Sequence, residues 1–370
     1  MQGGAHSRQS GRRPLRVAVI GPPVATYYGG QEVQACNIVV NWNNDPLVTA
    51  RFVSNRPNLR PLWSLLENLR YLRTVLRLPL YLSNLLRATR QADIFHVFAA
   101  SYRSFLLATV PAFAIGRILR KKMVIHYHSG RADDHLRRSV LAQRILRSAD
   151  LVVVPSAFLT EVFRGYDIPS SVIPNLVDPQ RFLYRSRASL EPRLLCTRNF
   201  ERHYGVDVVL RAFSLIQKQY PDSHLSLVGT GTMEHHLREI ANDLHLTNVE
   251  FKGAILPSMM PDVYDRHDIF VNGSYADCSP VSILESFCCG LPVVTTAAGG
   301  IGTLVSHEKT GLLSAPNDHH ALAGNVMRVL RQQEFARSLT EHARETVDAH
   351  SWHNLRKLWL DAYASVSQDT

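Results

Sequence analysis

Residues 274–296 read SYADCSPVSILESFCCGLPVVTT and carry the clearest strand and helix signals in the chain. A polar loop comes first, and an apolar stretch with helical spacing ends at Gly290, directly before the run Leu291-Pro292-Val293-Val294. Glycine commonly follows the last turn of a helix, and a short β-branched run bounded by glycine or proline is typical of a buried strand. Since the preceding Ile269–Asn272 is also apolar, the stretch predicts a strand, a loop, a helix and a second strand.

The same alternation of short apolar runs and helix-length segments occupies most of the chain. Leu15–Ile20 is one such run, and Gln31–Trp42, after Gly29-Gly30, has helical spacing. The other predicted strands are Ile94–Phe98, Met123–His128, Leu151–Pro155, Leu194–Thr197, Leu225–Gly229, Glu250–Gly253 and Pro292–Thr295. Repeated β–α–β units favour parallel sheets with helices on both faces. We therefore predict an α/β protein with two Rossmann-like, doubly wound domains that face each other across a ligand-binding cleft.

The chain is long enough for two packed domains, with 370 residues of which 45% are hydrophobic. Residues 14–185 are predicted to form the first domain and residues 190–348 the second. The boundary lies in the proline- and arginine-containing stretch Pro174–Pro192. Residues 349–370 are predicted to form a last helix that packs back toward the first domain.

Composition excludes several other classes of protein. Five cysteines with no C-x-x-C pair are too few for a disulfide framework or a structural zinc site. No run of eighteen apolar residues predicts a transmembrane helix, and the polar stretch Met1–Arg13 does not resemble a secretory signal. We expect a cytoplasmic protein, with a peripheral position at the inner face of the membrane as a further expectation.

The net charge of +10 is unevenly distributed between the two halves. Residues 1–185 contain 25 lysines and arginines against 10 acids, a net charge of +15, and residues 186–370 contain 16 against 21, a net charge of −5. A basic half of this kind points to a polyanionic partner.

The segment Arg51–Arg90 concentrates this charge, with eight arginines and the single acid Glu67. Apolar residues recur in it every three or four positions from Leu62 to Leu80. This spacing predicts a basic amphipathic helix, broken near Pro79. Such a helix suits an anionic membrane surface, although a core-packed helix with a solvated arginine face fits the pattern equally well. Nucleic acid is disfavoured because no recognised nucleic-acid-binding module accompanies the helix.

Asp277 and Glu285 are the acids of the opening stretch, and seven residues separate them. Asp277 is predicted in the loop and Glu285 in the helix. Two carboxylates that face one crevice suit a polyhydroxylated ligand, because each can accept hydrogen bonds from two hydroxyl groups. The complete stretch is far more specific than the pair of acids.

From Asp277 to Val294, the stretch resembles the E-x7-E signature of the retaining glycosyltransferases of family four, which have the GT-B fold with a C-terminal crossover helix. Asp277 departs from the family pattern, which usually has glutamate there. Further similar motifs are Gly29-Gly30-Gln31-Glu32, Asp93-Ile94-Phe95-His96, His126-Tyr127-His128-Ser129-Gly130, Pro174-Asn175-Leu176-Val177-Asp178, Arg181-Phe182, Gly229-Thr230-Gly231, Gly299-Gly300-Ile301, Gly311-Leu312-Leu313 and Ser351-Trp352. The resemblance covers roughly residues 14–365.

The resemblance implies an enzyme that transfers a sugar from a nucleoside diphosphate sugar to a saccharide or lipid-linked acceptor. The catalytic residues it implies are His128, Asp277 and Glu285. The donor-binding residues it implies are Gly29, Gly30, Arg198, Tyr204, Gly229, Ser279, Pro280, Val281, Glu285 and Gly300. Glu285 would hold the ribose hydroxyls and Asp277 the sugar hydroxyls. No Asp-x-Asp motif is present, and no metal or other cofactor is expected.

The cation pair that usually holds the donor phosphates in this family is incomplete. Arg198 is present, but Tyr204 occupies the place of the expected lysine before Gly205. A phenol can donate one hydrogen bond but carries no charge at neutral pH. Phosphate binding is therefore expected to depend on Arg198 and on a helix opened by Gly299-Gly300, whose free amides would face the anion.

Two alternatives to a sugar-transferring enzyme remain open, and a third is disfavoured. A nucleotide-sugar epimerase or hydrolase could share the fold, and a non-catalytic protein could keep the fold without a complete phosphate site. A nicotinamide-binding domain beginning at Val17 is disfavoured, since Pro22-Pro23 interrupts the glycine spacing that such a domain needs.

Overall fold

The computed structural model describes residues 13–23, 29–43, 45–57 and 70–367. Two six-stranded sheets form its framework, with strand orders β2-β1-β3-β4-β5-β6 and β12-β11-β10-β7-β8-β9. The first sheet contains β1 (Leu15–Gly21), β2 (Val48–Ser54), β3 (Ile94–Ala99), β4 (Lys122–Tyr127), β5 (Leu151–Val154) and β6 (Ser171–Val172). The second contains β7 (Arg193–Thr197), β8 (His224–Val228), β9 (Val249–Gly253), β10 (Ile269–Asn272), β11 (Val293–Thr296) and β12 (Leu312–Ser314). All pairings are parallel, which confirms the predicted fold class.

Helices connect the strands of both sheets. In the first half they are α1 (Gly30–Trp42), α2 (Arg70–Thr89), α3 (Tyr102–Ser104), α4 (Val110–Ile118), α5 (Ala132–Arg138), α6 (Val140–Ser148) and α7 (Ala157–Arg164). In the second half they are α8 (Val206–Gln219), α9 (Glu234–Asp243), α10 (Met260–Asp265), α11 (Val281–Cys288), α12 (Ile301–Leu304), α13 (His319–Arg331), α14 (Gln333–Val347) and α15 (Trp352–Ser367). No helix among the described residues is both long enough and apolar enough to cross a bilayer.

Nine strands were predicted, and each is present to within one residue at either end. Three others were not predicted: β2, β6 and β12. β2 lies at the edge of its sheet, and its burial alternates along Val48–Ser54 because one face is solvated. β6 and β12 have only two and three residues, which is too short for a hydrophobic period to be recognised.

The prediction of a broken helix over Arg51–Arg90 is wrong in two respects. Arg51 belongs to β2, and α2 continues through Pro79 without a break. Tyr81 and Leu85 follow the proline and are buried, and the Tyr81 hydroxyl donates to the Ala108 carbonyl at 2.7 Å. This packing holds the helix beyond the proline, where one backbone hydrogen bond is lost. Residues 58–69, with the leucines from Leu62 onward, and the side chains of residues 70–75 lie outside the described part of the chain.

The last helix closes the core of the first sheet. Leu355, Trp359 and Tyr363 of α15 are buried against Trp42 and the strand β1, as expected for a helix that returns to the first domain. The exact domain limits at residues 185, 190 and 348 stay predictions.

The connection between the two sheets is fixed by hydrogen bonds from both sides. The Gln34 side chain donates to the Leu176 carbonyl at 2.6 Å and accepts from the Leu176 amide at 2.7 Å. The Asn175 side chain donates to the Ser279 carbonyl at 2.8 Å. Gly130, after β4, lies so close to the backbone of Asp277, after β10, that a Cβ atom would fall 2.5–2.7 Å from it. The carboxyl ends of the two sheets therefore face each other.

Candidate active site

A cleft opens between the facing carboxyl ends of the strands. Seven of the twelve predicted site residues line it: Gly29, Gly30, Arg198, Tyr204, Gly229, Val281 and Glu285. The five that do not line it are His128, Asp277, Ser279, Pro280 and Gly300. Lining residues that the sequence did not assign include Arg181, Thr197, Asn199, Thr230 and Ser282.

Arg198 and Asp277 form a buried ion pair beside the cleft. The Arg198 Nη2 atom lies 2.5 Å from Asp277 Oδ2, and the Arg198 Nε donates to Asn272 Oδ1 at 3.0 Å. Asp277 Oδ1 accepts from the Cys278 amide at 2.7 Å. Burial lowers the pKa of Arg198, but Asp277 and the neighbouring groups together outweigh this effect, so the pKa is raised above its ordinary value. Asp277 thus orients a permanent cation, and its oxygens are directed at Arg198 and the loop rather than into the cleft.

Arg198 keeps one group of donors available to a ligand. Its Nη1 atom has no hydrogen-bond partner among the residues that the structure describes, and the side chain lines the cleft. A guanidinium held on two sides with its third side free is preorganised for an anion.

Tyr204 lies against Arg198 instead of replacing the missing lysine. The Arg198 Cζ atom is 5.0 Å from the centre of the Tyr204 ring, within the range of a cation–π contact. Burial raises the pKa of the Tyr204 phenol, so it stays neutral. The following Gly205 has φ +57 and abuts the Gly273 carbonyl, which only glycine tolerates. Tyr204 therefore supports the arginine and adds no charge.

The helix α11 begins at the cleft with Val281 and Ser282. The first amides of a helix have no intrahelical acceptor and carry partial positive charge. The Ser282 side chain is buried, and its hydroxyl oxygen has no hydrogen-bond partner among the described residues. Gly30 approaches from the first domain, where a Cβ atom would lie 3.5 Å from the Val281 side chain. These donors lie in the same cleft as Arg198.

Glu285 is one turn further along the same helix. The Tyr264 hydroxyl donates to Glu285 Oε2 at 2.6 Å, and the other oxygen of the carboxyl has no partner among the described residues. Burial raises the pKa of Glu285 to about 7, although the bond from Tyr264 and the charge of Arg181 oppose this shift. Glu285 is therefore a half-buried acid that faces the cleft and titrates near neutral pH.

His128 follows β4 and belongs to a stack of aromatic rings. Its ring centre is 4.1 Å from that of His126 and 5.3 Å from that of Phe98. Burial lowers the pKa of His128 to about 3, and its Nε2 atom is buried with no partner among the described residues. His128 is therefore a neutral imidazole directly after the carboxyl end of β4.

The expected anion site at Gly300 is wrong. The Gly300 amide donates to the Asp277 carbonyl at 2.9 Å, so it is not free. The helix α12 that follows has only four residues, and Gly300 packs against Cys278 and Ser156. Ser279 and Pro280 likewise shape the loop that leads into α11, since the Ser279 amide lies 3.3 Å from Asp277 Oδ1 and Pro280 is the N-cap of the helix.

Two family models account for most of the chain. Residues 28–181 match Glycosyltransferase Family 4, and residues 186–346 match Glycosyl transferases group 1. The chain belongs to glycosyltransferase family 4. Its members transfer sugars, and this chain is a glycosyltransferase.

Similar curated proteins agree with the family assignment. A glycogen synthase from Mycobacterium tuberculosis is 26% identical over 282 residues, which are 71% of this chain and 67% of the relative. A D-inositol 3-phosphate glycosyltransferase from Corynebacterium urealyticum is 25% identical over 62% of this chain and 60% of its own length. An uncharacterized glycosyltransferase from Methanocaldococcus jannaschii is matched over only 41% of its length.

Solved structures confirm the GT-B fold. A sucrose-phosphate synthase from Thermosynechococcus elongatus superposes with a TM-score of 0.77 at 21% identity, over 97% of this chain and 100% of that one. HepE from Anabaena, in complex with UDP-glucose, superposes with a TM-score of 0.73 at 17% identity, over 95% of this chain and 100% of that one.

Two of the lining residues of this glycosyltransferase that the sequence did not assign share a position. Thr197 ends β7 and Thr230 follows β8, so both lie at carboxyl ends of parallel strands, where ligands of such sheets bind. That rule alone would have found them. Ser282 had no such signal, because a serine in the first turn of a helix is commonplace.

Proposed function

We propose that this glycosyltransferase moves a sugar from a nucleoside diphosphate sugar to an acceptor hydroxyl with retention of configuration. The observation that carries the proposal is the convergence of Arg198 and the first turn of α11 in one cleft. When the bond between the sugar and the diphosphate breaks, negative charge develops on the leaving phosphate. A preorganised donor in such a site lowers a barrier by about 3–4 kcal/mol.

Structures of similar proteins support a nucleotide ligand. HepE was solved with UDP-glucose and with UDP and glucose, and TarM from Staphylococcus aureus with UDP. In our proposal, the free oxygen of Glu285 accepts from the ribose hydroxyls of the donor. Asp277 acts through Arg198, which it orients, rather than by contacting the sugar.

The proposed transfer needs no divalent ion, because Arg198 and the amides of α11 supply the positive charge that the diphosphate requires. We expect turnover to continue undiminished in excess chelator. Loss of activity in chelator, restored by Mg²⁺ or Mn²⁺, would contradict this part of the proposal.

The acceptor in this proposal is a saccharide, free or lipid-linked, bound by the loops of the first domain near His128. A neutral imidazole can exchange hydrogen bonds with a sugar hydroxyl without introducing charge. We propose that a lipid-linked acceptor is met at the inner face of a membrane, since residues 1–185 carry a net charge of +15.

A nucleotide-sugar panel tests the assignment. Purified protein is mixed with UDP-, GDP- and ADP-sugars, and nucleotide release is followed with and without a panel of saccharide acceptors. We expect one donor to be consumed faster when an acceptor is present, with the new linkage in the anomeric configuration of the donor. Donor consumption that no acceptor accelerates would indicate a hydrolase or epimerase.

Two matched variants identify the cleft as the site of this reaction. Glu285→Gln removes the charge of a lining carboxyl, whereas Glu341→Gln removes that of an exposed residue on α14. We expect the first change to raise the donor KM at least tenfold and the second to leave it unchanged. Equal kinetics for both variants would exclude the proposed site.

A further inference from the structure

The amino ends of the first sheet's strands form a strongly basic edge, at the opposite end of the sheet from the cleft. Arg13 precedes β1, Arg90 precedes β3, and Arg120 and Lys121 precede β4. Since the strands are parallel, these residues share one edge. The family assignment and the proposed transfer make no use of them.

Four arginines of this edge surround one shallow pocket. Arg13, Arg16, Arg51 and Arg90 line it together with Pro14, Thr49 and Gln91. A guanidinium presents several donors in a fixed plane and pairs well with phosphate oxygens. A pocket with four of them can surround a phosphate group from several sides.

Few acids compensate this charge. Asp93 binds Arg16 through both of its oxygens, and Asp150 lies within 3.3 Å of Arg117. Asp93 also attracts Arg13 electrostatically, but among the residues that the structure describes no carboxylate is in salt-bridge contact with Arg13, Arg51 or Arg90. The pocket therefore has a surplus of positive charge, open to solvent.

Exposed aliphatic side chains surround the same edge. Ile118 is 76% exposed and Leu119 41% exposed at the end of α4, and Leu86 is 51% exposed in the last turns of α2. Leu47, before β2, is 43% exposed. Aliphatic side chains interspersed with arginines are typical of surfaces that lie on a bilayer, with the apolar groups at the acyl boundary and the cations among the phosphates.

We infer that this amino-terminal edge docks on an anionic bilayer, with the arginine pocket taking the phosphate of a lipid headgroup. The inference deepens the membrane part of the proposed function. It moves the contact from a helix over Arg51–Arg90 to an edge formed by β1, β2, the end of α2 and the end of α4.

The position of the edge has a consequence for the acceptor. β4 separates Lys121 from His128 and has six residues, which span about 20 Å at 3.3 Å per residue. A protein docked on this edge holds its cleft about that far above the headgroups. A lipid-linked acceptor must therefore present its hydroxyl group on an extended saccharide rather than on a sugar next to the lipid phosphate.

Vesicle sedimentation of the full chain tests the docking directly. The vesicles are pure phosphatidylcholine, or phosphatidylcholine with 30% phosphatidylglycerol, at fixed ionic strength. We expect binding only to the anionic vesicles. The triple variant Arg13→Gln/Arg51→Gln/Arg90→Gln should weaken it on the order of a hundredfold, because each arginine near an anionic surface contributes about 1 kcal/mol. Ile118→Ser should weaken binding severalfold without changing net charge.

A matched variant controls for net charge. Arg211→Gln/Arg266→Gln/Arg337→Gln removes three exposed arginines from the second half and should bind anionic vesicles as the wild type does. Equal losses in the two triple variants would overturn the inference, as would equal binding to neutral vesicles. Stabilisation by inorganic phosphate without vesicle binding would also overturn it and indicate a soluble anion. Nucleotide release without vesicles should be the same in both triple variants, so a failure of docking is distinguishable from a failure of the proposed transfer.

Discussion

Two buried arginine–aspartate pairs in the second half of the chain differ in what remains free. Arg187 lies 3.2 Å from Asp268, and its guanidinium donates to the carbonyls of Tyr264, His267, Cys289, Gly290 and Arg185. The Arg187 side chain is 2% exposed. Arg198 is paired with Asp277 and is 10% exposed, yet it lines the cleft and its Nη1 atom has no hydrogen-bond partner among the described residues.

Burial alone therefore does not separate a structural arginine from a functional one. Every nitrogen of the Arg187 guanidinium has an acceptor, so this residue holds the segment before β7 on the second domain and has no donor left for a ligand. Arg198 is held equally firmly on two sides, which positions its free donors. The unsatisfied donor, rather than the ion pair, marks the site.

The largest effect on stability is expected for Arg187→Gln. The change leaves five buried carbonyls without this donor and removes the buried one of the arginine partners of Asp268, which keeps Arg193. Breaking a buried ion pair costs about 3–5 kcal/mol. The melting temperature should fall by roughly 10 °C, measured by calorimetry, while nucleotide release per folded molecule stays unchanged. Arg193→Gln, which removes a half-exposed partner of the same Asp268, should cost about 1 kcal/mol or less.

Arg198→Gln should have the opposite effect, with a large loss of activity and a smaller loss of stability. Losing one preorganised donor lowers kcat by about 10²–10³, with a smaller change in stability than Arg187→Gln causes. The double variant Arg198→Gln/Asp277→Asn should recover stability, because no carboxylate is left unpaired, but it should not recover turnover. Recovery of activity in the double variant would show that the pair has only a structural role.

Glu285 extends the comparison to an acid whose partner is the neutral Tyr264. Its pKa of about 7 means that the carboxylate form, which accepts two hydroxyl groups, disappears below neutral pH. The donor KM should rise about tenfold between pH 8 and pH 6, and Glu285→Gln should abolish this dependence.

The same shift predicts how the stability of the ligand-free protein depends on pH. The folded state binds the Glu285 proton more tightly than the unfolded state does, so stability falls as pH rises from about 4.5 to about 7. Glu285→Gln should therefore raise the melting temperature at pH 8, by roughly 2–4 °C. An unchanged melting temperature would show that Glu285 is already solvated in the cleft.

The smallest effect is expected for Tyr204→Phe. The ring supports Arg198 through a cation–π contact, and phenylalanine keeps the ring, so kcat/KM should change less than threefold. Tyr204→Ala removes the support and should lower kcat/KM about tenfold. A large loss in Tyr204→Phe would mean that the hydroxyl group itself contacts the donor.

The sequence predicted the parallel strands well because most are buried on both faces and read as short apolar runs, as in Ile269–Asn272. It failed where burial alternates or tertiary packing dominates. β2 carries Arg51 on its solvated face, and α2 continues through Pro79 because Tyr81 is buried beyond it.

Seven of the twelve site residues predicted from the sequence line the cleft, but the pairing between site residues was not predictable. Arg198 and Glu285 line the cleft as the resemblance implied. Nothing local could show that Asp277 binds Arg198, since the two are 79 positions apart. We propose that the first turn of α11 takes the role expected of Gly300, whose amide donates to the Asp277 carbonyl instead.

Calorimetric titration tests the central claim, that the cleft holds a diphosphate through the free donors of Arg198. The protein, in chelator, is titrated with the nucleoside diphosphate chosen by the donor panel and with the corresponding nucleoside, and both titrations are repeated with Arg198→Gln. We predict that the wild type prefers the diphosphate at least a hundredfold and that the variant loses most of this preference while binding the nucleoside unchanged. An undiminished preference in the variant would contradict the account.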